Sequence, residues 1–277
     1  MFRRRGVEIK TPEQISHMRS AGLVVASTLR LVRAESRPGV TTAELDVFAE
    51  AHIRDSGATP SFQGYHGFPA SICVSVNDEI VHGIPRDRVL RDGDIVSVDC
   101  GAIVAGWHAD AALSFVLGEP RHDIAALLAV CEDAMWAGVA AVLPGGRVTD
   151  VSAAVESVVR SRGDLGIVED YVGHGIGSQL HQPPSVPNRG RPGKGPRLVE
   201  GIALAVEPML TLGSPETRVL ADDWTVVTAD GTPAAHFEHT VTVTERGPWV
   251  LTELDGGLAR LAELGVAYGG EPVSADS

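Results

Sequence analysis

A chain of 277 residues with 44% hydrophobic content is long enough for one large domain or two small ones. Its formal charge of −13 argues against nucleic-acid binding spread over the whole surface. Three cysteines (Cys73, Cys100, Cys131) form no Cys-x-x-Cys motif and leave one unpaired, which argues against a disulfide framework. Pro and Gly are frequent but scattered, and no composition shift marks a linker, so one domain is expected. The most apolar run, Ile124 to Leu143, is interrupted by Glu132-Asp133 and is not expected to span a membrane. Met1 to Lys10 is basic and then polar with no apolar stretch behind it, so the cytoplasm is the default compartment.

Taken in order, residues 1–10 with Arg3-Arg4-Arg5 read as a flexible, solvated segment. Thr11-Pro12-Glu13-Gln14 starts a helix, with Thr11 as N-cap and Gln14 closing a capping box. Ile15, Met18, Gly22 or Leu23, Val25 and Leu29 follow at helical spacing. Thr41 to Glu44 opens a second helix with Leu45, Phe48 and Ile53 inward, stopped at Gly57. From Ser61 the pattern turns to strand and loop, through Phe62, Tyr65 and Phe68 to a strand from Ser71 to Val76. Asn77-Asp78 makes a turn, and Val81 to Pro85 is a rigid loop.

Asp94 to Phe115 reads as a β-hairpin. Centred on Val104-Ala105, its turn would set Ile103 against Gly106 and Asp99 against Asp110. Two opposed carboxylates in a half-buried sheet repel, and a divalent cation between them reverses the sign. Two solvent-facing acids on an edge hairpin give the same pattern. Pro120 to Leu143 then reads as a long buried helix, and Thr149 caps another with Val151, Ala154, Val155 and Val158 on one face. The stretch from Tyr171 through His181 to Pro196 is loop-rich. Strands return at Ile202 to Glu207, Arg218 to Leu220, Trp224 to Thr228, Ala234 to Thr244 and Trp249 to Thr252. A catalytic domain over 11–253 is expected, followed by a helical end and a disordered tail over 254–277. The order helices, sheet, helices, sheet hints at two similar halves.

Glu207 closes an otherwise apolar strand whose Ala203 and Ala205 leave room on its face. An unpaired buried charge costs several kcal/mol, so a compensating cation is the better account. Glu238 sits within a β-branched strand, where an edge-strand charge is the plainer alternative. His174 stands between Gly173 and Gly175, and His82 and His181 stand beside Pro-containing turns that fix the backbone under them. Each histidine alone is weak. Jointly, two Asp, two Glu and one His form an oxygen-rich set with one imidazole, suited to Mn, Fe(II), Co or a two-metal hydrolase rather than a thiolate zinc site.

At these residues the chain resembles the type I methionine aminopeptidases of the bacterial kind, a branch of the M24-like metallopeptidases. The resemblance rests on His82-Gly83-Ile84-Pro85, Asp94 to Phe115, Gly173 to Gly177 with His181 following, Val206-Glu207-Pro208-Met209 and Phe237-Glu238-His239-Thr240. It implies an α+β pita-bread fold, a pseudo-two-fold antiparallel sheet covered by helices, with two divalent ions at its centre (Co, Mn, Fe(II), Zn or Ni). It implies that Asp99 chelates one ion, that Asp110 and Glu238 bridge both, and that His174 and Glu207 complete the other. The implied reaction removes the initiator methionine from new proteins whose second residue is small, by a metal-activated bridging water. Glu207 is then the proton shuttle, His181 steadies the carbonyl oxygen, and His82 contacts the nitrogen at the cleaved bond.

The same resemblance assigns the methionine pocket to Tyr65, Phe68, Cys73 and Trp224, although plain core aromatics would fit those positions too. Phe62, Leu180, His236 in place of Gln, and Gln182-Pro183-Pro184 in place of an acidic stretch depart from the family pattern. Implied partners are nascent polypeptide N-termini, with the ribosome near its exit tunnel as a further contact. No direct nucleic-acid or membrane binding is expected, and a monomer is. The nearest alternative is a proline-specific aminopeptidase, which usually carries an additional N-terminal domain. A binding protein that keeps the fold without catalysis would be marked by lost ligands, and none is lost.

Overall fold

A computed structural model describes residues 6–271. The first helix, α1 (Pro12–Glu35), starts as expected: Thr11 Oγ1 accepts the Gln14 N–H while the Gln14 side chain accepts the Thr11 N–H. The second, α2 (Thr42–Asp55), repeats this box with Thr41 and Glu44. Gly22 rather than Leu23 faces inward on α1, because a Cβ at position 22 would meet the Leu251 carbonyl oxygen at 2.1 Å. Phe48, expected inward on α2, is exposed instead.

After α2 come β1 (Thr59–Pro60), β2 (Ile72–Val76), β3 (Glu79–Val81), β4 (Ile95–Val104) and β5 (Trp107–Val116). Two helices follow, α3 (His122–Ala140) and α4 (Val148–Arg162). Thr149 does not cap α4. Its hydroxyl is engaged with the Lys194 backbone, and the N-cap lies two residues earlier at Arg147, whose N–H the Asp150 carboxylate accepts at 2.7 Å. The second half supplies β6 (Gly166–Ile167), β7 (Gly173–Gly175), β8 (Gln182–Val186), β9 (Ala203–Val206), β10 (Met209–Thr211), β11 (Thr217–Val219), β12 (Val226–Thr228), β13 (Ala234–His236), β14 (Glu238–Thr244) and β15 (Gly247–Val250). The Pro183-Pro184 stretch, read as loop, is part of β8. The single strand expected over 234–244 is two, because Phe237 breaks it: His236 pairs with Met209, while Glu238 pairs with Ala112 of β5.

Nine strands form the central sheet, in the order β1-β4-β5-β14-β9-β7-β8, with β2 on β4 and β15 on β14. Two apolar cores flank it. One gathers Val25, Leu29, Leu45 and Ile53 of α1 and α2 onto β2, β4 and β5. The other gathers Leu127, Met135, Val151 and Val155 of α3 and α4 onto β9 and β14. This two-halved α+β arrangement is the expected pita-bread fold. The short helix α5 (Leu258–Glu263) follows β15.

The termini divide. Residues 1–5 and 272–277, parts of the expected flexible segment and tail, lie outside the described residues. Lys10 is buried and donates its N–H to the Gly201 carbonyl, and the Gly269 N–H donates to Pro248. Among the described residues no helix is long and apolar enough to cross a membrane.

Candidate metal centre

The hairpin β4–β5 has a tighter register than a turn on Val104-Ala105 would give. Its two-residue loop is Ala105-Gly106, with φ of 50° and 83°, the left-handed pair that a type I′ turn requires. Val104 therefore faces Trp107, Asp99 faces Ala112 and Asp110 faces Gly101. The expected direct opposition of the two acids is corrected to a diagonal one. A slip of two positions keeps both side chains on one face, since side chains alternate with a period of two. The diagonal spreads the carboxylates and opens space between them.

The second half brings its donors to the same face. His174 lies in β7, Glu207 just beyond the end of β9, and Glu238 at the start of β14. Nε2 of His174 is 3.4 Å from Glu207 Oε1 and 3.5 Å from Asp110 Oδ2. Donor atoms of Asp110, His174 and Glu238 all lie within 4.8 Å of one another, and the three residues are buried. His174 Nδ1 is 3.0 Å from the Gly175 carbonyl oxygen, which can only accept. The proton is therefore on Nδ1, leaving the Nε2 lone pair free for a ligand bond. Burial pushes the His174 pKa down to about 4, so the ring is neutral at neutral pH.

The carboxylates carry the opposite stress. Burial, together with mutual repulsion, raises Asp99, Glu207 and Glu238 well above the usual range. Asp110 is raised to about 6 by burial, moderated by His181 and by Thr240, whose Oγ1 is 2.9 Å from Asp110 Oδ1. Asp99 Oδ1 is shut off from solvent with no hydrogen-bond partner. A buried oxygen without a partner, three like charges around it and an imidazole lone pair aimed inward fit a divalent cation. Asp99, Asp110, His174, Glu207 and Glu238 would hold it.

A cavity of about 140 Å³ opens directly onto these donors. His82, His181, Tyr65, Phe68, Cys73 and Trp224 line it with the four acids and the His174 imidazole, so the candidate site residues singled out from the sequence meet there. The apolar end is built by Phe68 edge-on to Trp224, ring centroids 5.1 Å apart, and by Cys73, the cross-strand neighbour of Asp99. Phe62 and Leu180, the family departures, also line it. His181 Nδ1 is 2.8 Å from Tyr65 Oη, and its ring lies 4.2 Å from that of His174. Burial takes His181 and His82 down to about 4, leaving both neutral.

Two features escaped the sequence reading. His66 lines the cavity from a left-handed backbone (φ 48°), a position that the flanking Gly64 and Gly67 could have flagged. His236, read only as a departure, is fully buried, with an unpartnered Nε2 3.7 Å from Glu207 Oε2.

Residues 16–245 match metallopeptidase family M24, and the chain belongs to that family. The methionine aminopeptidase of Clostridium acetobutylicum is 50% identical over 245 residues, 88% of this chain and 98% of that protein. Methionine aminopeptidase 1 of Mycobacterium tuberculosis is 51% identical over 255 residues, covering 90% and 96%. The crystal structure of methionine aminopeptidase from Thermotoga maritima superposes with a TM-score of 0.88 at 41% identity, over 90% of this chain and all of that one. Within family M24 the chain groups with the methionine aminopeptidases.

Proposed function

We propose that this protein is a metal-dependent hydrolase that releases the N-terminal methionine of polypeptides whose second residue is small. The observation that carries the reading is the meeting of the buried donor cluster with an aromatic-walled cavity of about 140 Å³. Bound divalent metal supplies Lewis acidity, polarising the scissile carbonyl and bringing the pKa of a water towards neutrality. Two ions are proposed, held as the resemblance implies, because four carboxylates balance two divalent charges.

Glu207, whose basicity burial raises, takes a proton from the attacking water and returns it to the leaving amine. His181 Nδ1 is 2.8 Å from the Tyr65 hydroxyl; in the tautomer in which that hydroxyl donates, the N–H stands on Nε2 and donates to the carbonyl oxygen as negative charge grows there. His82, which lines the cavity edge-on to Trp224 at 6.1 Å, is assigned to contact the nitrogen of the cleaved bond, as the resemblance implies. Phe68, Cys73 and Trp224 receive the thioether, which packs well against aromatic edges. A charged first residue is excluded by the cost of stripping its water.

Nascent chains are the proposed substrates, met in the cytoplasm near the ribosome, and the working form is a monomer. The test is a panel of Xaa-Ala-Ser peptides beside Xaa-Pro peptides, read as kcat/KM. Met-Ala-Ser is expected to lead, with norleucine close behind because one such side-chain difference is worth only about 1–3 kcal/mol. Leu should be poor, and Lys and Glu negligible. Preference for Xaa-Pro would mark a proline-specific enzyme, and Lys or Glu released as fast as Met would refute the pocket.

A further inference from the structure

The residues ahead of α1 grip the turn that carries His181. Glu8 Oε1 accepts the Ser178 hydroxyl at 2.6 Å, and its Oε2 accepts the Ser178 N–H at 3.1 Å and the Gln182 side-chain amide at 2.8 Å. Burial raises the Glu8 carboxyl, but these hydrogen bonds and Lys10 together bring it below the usual range, so it is ionised at neutral pH. Lys10 lies buried beside it, Nζ 3.3 Å from the Glu8 carbonyl and 3.7 Å from Oε2. The Lys10 N–H donates to Gly201, whose own N–H donates to Val243 of β14, so the strap is moored to the central sheet.

The turn is made to receive it. A Cβ on Gly177 would lie 2.3 Å from both Glu8 Oε2 and Lys10 Cε, so only glycine lets the strap come this close. On its other side the Gly177 carbonyl accepts the His108 N–H at 2.9 Å, tying the turn to β5. His181 lies between the two residues that Glu8 holds, and its ring is hydrogen-bonded to Tyr65 and packs against His174.

We infer that Glu8 is a positioning residue for this active site: by gripping Ser178 and Gln182 it fixes the backbone beneath His181, and so the direction in which the imidazole meets the substrate carbonyl. Glu8 belongs neither to the cavity lining nor to the metal donors. The inference rests on the role proposed for His181. It makes a specific claim of coupling, because a residue that acts through another has no effect once that other is gone.

The experiment is a double-mutant cycle in the full-length, metal-loaded enzyme with Met-Ala-Ser. Glu8→Ala is expected to lower kcat by between about 10- and 100-fold, with KM moved much less and metal affinity by calorimetry unchanged. Amide exchange over 176–182 should accelerate. Glu8→Gln, which keeps the acceptor oxygen for Ser178, should recover part of the loss. In a His181→Ala background, Glu8→Ala should add no further loss. Wild-type kcat in Glu8→Ala, or the same fold-loss in both backgrounds, would overturn the positioning role while leaving His181 standing. Full kcat in His181→Ala alone would overturn the role of His181 and the inference with it.

Discussion

The two pairs of acids at the centre reach the same face by different means. Asp99 and Asp110 sit on one hairpin, eleven residues apart in a continuous β4–β5 ladder whose register follows from a two-residue turn. Glu207 and Glu238 come from β9 and β14, which meet through pairs such as His239 with Val206, and each lies where a strand ends or begins. A local turn thus sets one pair and the packing of distant segments sets the other. The first should be stiff without any ligand, and the second should depend more on what it holds.

Removing metal acts on both pairs and should have the largest effect. Exhaustive chelation is expected to abolish peptide release, and Asp110→Asn should not recover at ordinary metal concentrations, since that residue stands at the contact of the two pairs. Undiminished turnover after chelation would break the comparison at its root. Next comes His181→Ala, which removes a donor to developing charge without touching either pair. Its kcat should fall by roughly 10²–10³-fold, with metal affinity unchanged. Loss of an ion in calorimetry would instead make His181 a ligand.

A third test separates charge from shape in the metal-free protein. Burial raises the Asp110 carboxyl to about 6 from its ordinary 3.8, so between those limits the folded state binds more protons than the unfolded one. The stability contributed by Asp110 is therefore lost as pH rises through that window. Asn at the same position does not titrate. Metal-free Asp110→Asn is expected to melt higher than metal-free wild type at pH 7.5, with the gain shrinking towards pH 4. A gain equal at both pH values would assign it to packing. The smallest effect belongs to the turn: Gly106→Val, at φ 83°, should cost roughly 1–2 kcal/mol of stability, measured by denaturant unfolding, with metal stoichiometry intact.

The same contrast explains what could be read from the amino-acid order. Capping boxes at Thr11 and Thr41 are written within four residues, and both are present. The hairpin acids were visible because alternation puts them on one face whatever the register, although the register itself depended on Ala105 accepting a left-handed backbone. Glu207 was found through its small neighbours. Glu238 was placed inside a strand that Phe237 in fact divides, a break imposed by pairing with two different sheets. Glu8 carries no local signal at all: its partners Ser178 and Gln182 lie some 170 residues away.

Within the central sheet the strand pairing that joins the halves is short. Direct pairing of β14 with β5 covers only Glu238 with Ala112 and His239 with Ala111, and Thr240 adds side-chain bonds to Asp110. Loop closure between sites this far apart in the chain is slow, so each half can gather its own core before the seam closes. During synthesis the hairpin acids leave the translating machinery well ahead of residue 238, and the chain is then half a chelator. Tight metal capture is therefore expected to coincide with the docking of β14, and a time course of metal uptake during refolding would date that event.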